Sequence, residues 1–130
     1  MHCLIVEPDK VLAPLYSQQF IKAGLQVSIA TDAADAIAKI DTKTPDIIIL
    51  EPKLARHSGI ELLHEVRSYE DWNSVKIVVY SSVPQYAFGA DESVWQKYGV
   101  LRYLEKSKTS VSQLIGIVKT LLEQNESNSR

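Results

Sequence analysis

The sequence predicts an α/β protein, a doubly wound parallel sheet of five strands flanked by five helices, and three observations carry that prediction. Short apolar runs alternate with segments whose apolar residues recur at helical spacing, and such alternation calls for parallel strands joined by right-handed crossovers that place helices on both faces. Two runs, Ile47-Ile48-Ile49-Leu50 and Ile77-Val78-Val79-Tyr80, are unbroken rather than alternating, as suits strands covered on both sides. The composition, 45% hydrophobic and 23% charged over 130 residues, fits one globular domain and excludes a disordered, collagen-like or disulfide-rich chain.

Cys3-Leu4-Ile5-Val6 reads as the first strand, ended by Glu7-Pro8-Asp9, and Leu12, Leu15, Tyr16 and Phe20 form the stripe of a first helix with Pro14 in its first turn. Gly24 ends that helix, Leu25 to Ala30 is a second strand, and Ala33, Ala36, Ile37 and Ile40 mark a second helix. Pro45 announces a third strand from Asp46 to Glu51; Ser58 and Gly59 open a third helix carrying Ile60, Leu63, Val66 and Arg67. After the strand Ile77 to Tyr80, a fourth helix is expected between Pro84 and Tyr98, stopped by Gly99, then a fifth strand from Leu101 to Leu104. Val111, Leu114, Ile115, Val118, Leu121 and Leu122 define the last helix, with Ser110 and Gln113 as its capping box. The domain is expected over 1–123, with 124–130 a polar tail, and there is no internal repeat.

A net charge of −2, spread over both signs, gives no basic field for nucleic acid. Cys3 is the sole cysteine, read as a small buried hydrophobe, so no disulfide is expected. With no signal-like leader and no apolar run near the roughly 18 to 20 residues that cross a bilayer, the chain reads as cytoplasmic and not membrane-bound. Catalysis of its own is not expected: Glu7-Pro8-Asp9-Lys10 lacks the glycines or hydroxyls of a phosphate-cradling loop, and no histidine falls at a strand end near Ser81. His57 and His64 lack further ligands at metal spacing and read as surface residues, and Asp91 and Glu92 as a solvated helix start. Trp72 is expected to cover the sheet edge.

Ligands of doubly wound sheets bind at the carboxyl ends of the strands, so chemistry should gather at Glu7, Pro8, Glu51, Ser81 and Lys106. These residues, within Leu4-Ile5-Val6-Glu7-Pro8-Asp9, Asp46 to Glu51 followed by Ser58 to Leu63, and Tyr103-Leu104-Glu105-Lys106, resemble the CheY-like receiver domain of two-component response regulators over nearly the whole chain. The resemblance implies strand order 2-1-3-4-5. In that family an acidic pair after the first strand holds a divalent metal, and an aspartate ending the third strand accepts a phosphoryl group from a histidine kinase. A hydroxyl and a lysine bind the phosphoryl oxygens, and an aromatic residue swings between exposed and buried states.

By resemblance, Glu7 and Pro8 stand at the acidic pair, with Asp9 displaced toward a helix-capping role, and Glu51 stands at the acceptor. Ser81, Lys106 and Tyr103 match the switch residues; Ser107 replaces the proline that commonly follows the lysine. Glu51 is a methylene longer than aspartate, and a reacting atom misplaced by about 1 Å can cost around a hundredfold. Pro8 supplies no oxygen to a cation that demands near-ideal octahedral geometry, so magnesium is expected to bind weakly or not at all.

The prediction is therefore an atypical receiver acting through phosphorylation-independent protein–protein interaction, the alternative being one still phosphorylated at Glu51 or a nearby acid. Glu51 either pre-sets an active-like state beside Lys106 and Ser81 or forms an ion pair that favours neither state; its single charge, against nearly two on a phosphoryl group, favours the second. The expected partner is a signalling protein, a histidine kinase or a downstream effector. The resemblance also allows pairing of two copies through the fourth helix, fifth strand and fifth helix. Phe88, Tyr86, Trp95, Tyr98 and Tyr103 crowd that region, and Tyr103 with at least one other is expected to be exposed.

Overall fold

A computed structural model describes residues 1–54, 58–88 and 92–128. Five strands, β1 (His2–Val6), β2 (Gln26–Ala30), β3 (Ile47–Leu50), β4 (Lys76–Ser81) and β5 (Val100–Glu105), pair in parallel in the order β2-β1-β3-β4-β5. The helices are α1 (Leu12–Lys22), α2 (Ala33–Thr42), α3 (Gly59–Ser68), α4 (Glu92–Lys97) and α5 (Val111–Asn128). The last continues past the domain boundary expected at residue 123.

Strand side chains alternate between two cores, as the two-residue period of a strand requires. Leu4, Val6, Ile48, Leu50, Ile77 and Val79 face α2, α3 and α4 and pack with Ile40, Leu63, Val66, Trp72 and Trp95. Cys3, Ile5, Ile47, Ile49, Val78 and Tyr80 face α1 and α5 and meet Tyr16, Phe20, Leu114 and Val118. Each fully buried large side chain is worth roughly 1.5–3 kcal/mol, so two filled faces hold the strand ends in fixed register. Burial pushes the Cys3 thiol up to about 11, in keeping with a packing role.

Helix starts follow the polar signals. Asp9 Oδ1 accepts from the amides of Val11 and Leu12 at 2.8 and 3.0 Å, Ser58 Oγ from Glu61, and Ser110 and Gln113 exchange the two bonds of a capping box at 2.8 and 3.1 Å. Gly24 and Gly99 take positive φ where α1 and α4 stop, a conformation that side chains rarely adopt. Gly59 has a different reason: a Cβ there would lie 2.4 Å from Pro52 Cα, and its amide already donates to the Pro52 carbonyl at 2.7 Å.

Three expectations need correction. The stretch after Pro84 is not one helix: a 3-10 turn, Gln85–Phe88, precedes an α4 of six residues. Trp95 is the buried residue of α4 and half-buried Val94 packs beside it, while Glu92, Gln96 and Lys97 are exposed, so two adjacent side chains anchor a helix of six residues. Trp72, in a 3-10 turn (Glu70–Trp72), is a core side chain stacked obliquely at 4.5 Å on Tyr69, not a cover for the sheet edge. Leu25 lies outside β2, buried beneath α1. His57 and Asp91, and the side chain of Phe88, lie outside the described residues. Among the described residues, no helix is long and apolar enough to cross a membrane.

Candidate functional site

The site arises where the strand ladder runs one residue beyond the apolar strands. Val6 pairs with Leu50, and the next amides continue the pattern: Glu7 N–H donates to Ala30 O and Glu51 N–H to Val6 O, both at 2.9 Å. Ser81 pairs with Glu105, and Lys106 N–H donates to Ser81 O at 2.8 Å. Glu7, Glu51, Ser81 and Lys106 are thereby set side by side at the carboxyl edge of the sheet; Glu7, Glu51 and Lys106 line an open cleft of about 570 Å³ together with Pro8, Asp9, Lys53 and Ser82, and Ser81 is buried beside it.

The Glu51 carboxylate, 5% exposed, is engaged on both oxygens. Its Oε2 accepts from Ser81 Oγ at 2.6 Å and from the Lys53 amide at 3.2 Å; its Oε1 accepts from the Ser82 amide at 3.3 Å and lies 3.5 Å from Lys106 Nζ. Glu7, 3% exposed, takes Lys106 Nζ on Oε1 at 2.5 Å and the Asp9 amide on Oε2 at 3.1 Å. Burial alone would lower the Lys106 ammonium, but its hydrogen bond and ion pair with Glu7, with Tyr16 and Glu51 nearby, hold it above the usual lysine value.

Tyr103 joins the site beside Ser81 and through the backbone of Val83. Its hydroxyl donates to Val83 O at 2.6 Å, the Val83 amide donates to Ser81 Oγ at 3.0 Å, and its ring meets Trp95 edge-on at 5.2 Å. Burial pushes the phenol up to about 12. The expected exposure of Tyr103 is thus corrected: it is half-buried because Trp95 and the Val83 carbonyl together give both its ring and its hydroxyl a partner. The other half of that expectation holds, since Tyr86 is exposed, at 81%.

A model of the response regulator receiver domain matches residues 3–119. The chain belongs to the response regulator receiver family. Among curated relatives of this receiver, the probable transcriptional regulatory protein TcrX of Mycobacterium tuberculosis is 34% identical over 65 residues, half of this chain and 28% of its own length. The Regulator of RpoS of Escherichia coli is 31% identical over 75 residues, 58% of this chain and 22% of its own. The receiver therefore spans about a quarter of the length of these relatives. A CheY-like receiver domain from Methanospirillum hungatei superposes with a TM-score of 0.85 at 21% identity, covering 98% of this chain and 97% of that one. TrrA of Thermotoga maritima, solved in complex with Mg(2+)-BeF, does so with a TM-score of 0.76 at 22% identity over 92% and 97%. At such identities these two structures show the shared fold.

The donors of this receiver do not fit an octahedral divalent metal. Pro8 carries no side-chain oxygen. Asp9 has turned its carboxylate to α1, where the amides of Leu12 and Val11 hold it below the usual carboxylate value. Glu7 and Glu51 already share a tethered ammonium. Among the described residues, no group of three or more His, Cys, Asp or Glu is placed to hold a metal. His64 stands apart on α3, its Nδ1 3.2 Å from the Tyr98 hydroxyl.

Of the residues singled out from sequence, Glu7, Glu51, Ser81 and Lys106 are brought into contact, Pro8 lines the cleft, and Asp9 and Tyr103 act one step removed. The sequence did not reveal Tyr16 and Tyr80, whose rings lie 5.5 and 5.8 Å from Lys106 Nζ. Both carry the spacing of core residues, and only Tyr80's place next to Ser81 hinted at more. Ser82, repeating the hydroxyl type at the end of β4, contributes through its amide instead.

Proposed function

We propose that this receiver signals through protein–protein contact in a state set by its own Glu51 carboxylate rather than by phosphorylation. The supporting observation is that Glu51 occupies the donors an added phosphoryl group would need: the Ser81 hydroxyl, the Ser82 and Lys53 amides, and the Lys106 ammonium. A carboxylate accepting several such bonds is a poor nucleophile for in-line transfer, since it would have to give them up first. Ser81 Oγ is bonded to an anionic oxygen of residue 51, and Val83 and Tyr103 are linked to Ser81 in turn, so the carboxylate and the half-buried setting of Tyr103 belong to one chain of bonds. The partner is a signalling protein that reads the region of α4, β5 and α5, where Tyr86 and Leu101 are exposed.

Incubation with a small-molecule phosphodonor and magnesium, followed by intact-mass measurement, tests this. No adduct is expected on the wild-type chain; a stoichiometric, base-labile phosphate adduct overturns the proposal in favour of a receiver still phosphorylated at Glu51 or a nearby acid. Glu51→Asp alone is expected to stay unmodified, because Pro8 still brings no oxygen to a metal, whereas Glu51→Asp with Pro8→Asp is expected to gain the adduct.

A further inference from the structure

The two acidic side chains of the pocket are almost fully buried, and among the described residues a single side-chain cation, Lys106, serves both. Lys106 Nζ lies 2.5 Å from Glu7 and 3.5 Å from Glu51, and the lysine side chain is only 15% exposed. Its remaining surroundings are aromatic: the Tyr16 and Tyr80 rings lie 5.5 and 5.8 Å from the ammonium and meet each other edge-on at 5.6 Å. Both rings are buried, and Tyr80 is fixed further by a 2.6 Å bond from its hydroxyl to Thr109 O. Carboxylate oxygens accept the N–H donors of an ammonium, and ring faces attract its charge within about 6 Å. A hard divalent ion needs about six or more oxygens at close range, whereas beyond the two carboxylates this wall offers two aromatic rings and the Tyr16 hydroxyl, which is hydrogen-bonded to Lys106.

We propose that Glu7, Glu51, Tyr16 and Tyr80 form an ammonium cage whose occupant, Lys106, is covalently tethered, so that the cation organising this receiver's pocket is a primary ammonium rather than a divalent metal. The inference deepens the function proposed above and rests on Glu51 remaining a free carboxylate. It is read without any phosphodonor, so its failure and the failure of that proposal are separate results.

Replacing the tethered occupant by a diffusible one tests the cage. Lys106→Ala leaves the two carboxylates facing each other and is expected to lower Tm by roughly 10 °C. Propylammonium chloride, which restores the missing ammonium and part of the stem, should raise the variant's Tm in a saturable way above a sodium chloride control of equal ionic strength. Magnesium chloride at the same ionic strength should give no more than that control. Adding Tyr16→Leu should remove the advantage of propylammonium over sodium, since it takes one wall of the cage away. Should Lys106→Ala be unfolded without additive, the same comparison is made on the recovery of a cooperative melt followed by circular dichroism. The wild-type protein, titrated directly with magnesium and followed by tryptophan fluorescence and by calorimetry, should show no saturable low-millimolar site. Rescue by magnesium beyond the salt control, a saturable site on the wild-type chain, or propylammonium no better than sodium would each overturn the cage.

Discussion

The two ends of the sheet bury polar groups in opposite ways. At the carboxyl end, Glu7, Glu51, Ser81 and Lys106 satisfy one another, and every oxygen of the two carboxylates has a donor or a cation beside it. At the amino end, His2 is 7% exposed and only partly served. Its Nε2 lies 2.8 Å from Ser28 Oγ and its amide donates to Asp46 Oδ2 at 2.8 Å, while Nδ1 is buried with no partner among the described residues. Burial, aided by Lys43 and opposed by Asp46, holds the imidazole below its ordinary value. One end is thus a closed network built around charges, the other a neutral ring that water and protons would unsettle. A buried polar network is worth most when every member is served.

The largest test of the difference removes a charge from the closed end. Glu7→Ala leaves Lys106 with the more distant Glu51 as its carboxylate partner among the described residues and is expected to cost about 3 kcal/mol in urea unfolding. A loss below about 1 kcal/mol would mean that the network carries little. Next, Ser81→Ala strips Glu51 of its shortest bond and should cost roughly 2 kcal/mol, most of it absent when Glu51→Ala is already in place. Additive losses in that double-mutant cycle would deny the coupling.

Smaller still, and sharper, is the dependence on pH. The His2 value is lowered on folding, so the unfolded chain takes the proton first; the stability tied to His2 is full above pH 6.5 and lost as pH falls below it. The Lys106 value is raised, so its contribution is full below pH 10.5 and lost as pH climbs through the folded value. Tyr103, raised from 10.0 to about 12, favours the neutral phenol in the folded state and likewise gives way on the alkaline side. Equilibrium unfolding across pH should therefore show His2→Gln flattening the acid limb alone and Tyr103→Phe part of the alkaline limb alone. Crossed effects would show that the two ends are not independent.

Much of this was legible in the chain because it rests on local signals. Unbroken runs such as Ile47 to Leu50 gave the central strands, and the first polar residue after each strand gave Glu7, Glu51 and Lys106. The capping box at Ser110 and the diversion of Asp9 to α1 are contacts within three residues. The pairing of Lys106 with Glu7 spans 99 residues and depends on the ladder that seats β1 and β5 on either side of β3 and β4, so no spacing announces it. Tyr16 and Tyr80 were read as core, and they are core; that their rings also frame an ammonium follows from one helix, α1, and one strand, β4, converging on the residue that follows β5. Tyr103 was misjudged because its partners, Trp95 on α4 and the Val83 carbonyl after β4, come from elements that its own local sequence does not specify. Arg67, placed in the α3 stripe, instead gathers three backbone carbonyls, those of Tyr98, Trp72 and Asn73, at 2.8 to 3.1 Å.

The near-contact between Gly59 and Pro52 gives α3 a consequence beyond its own packing. Pro52 follows Glu51 directly, and the helix is seated so close to it that only a hydrogen atom fits between them. A mutational scan scored on partner engagement should therefore find residue 59 as intolerant as the acidic side chains, with alanine already harmful, although it bears no charge and touches no solute. Variation that reshapes this receiver's output has to enter elsewhere, through positions whose neighbours can still move.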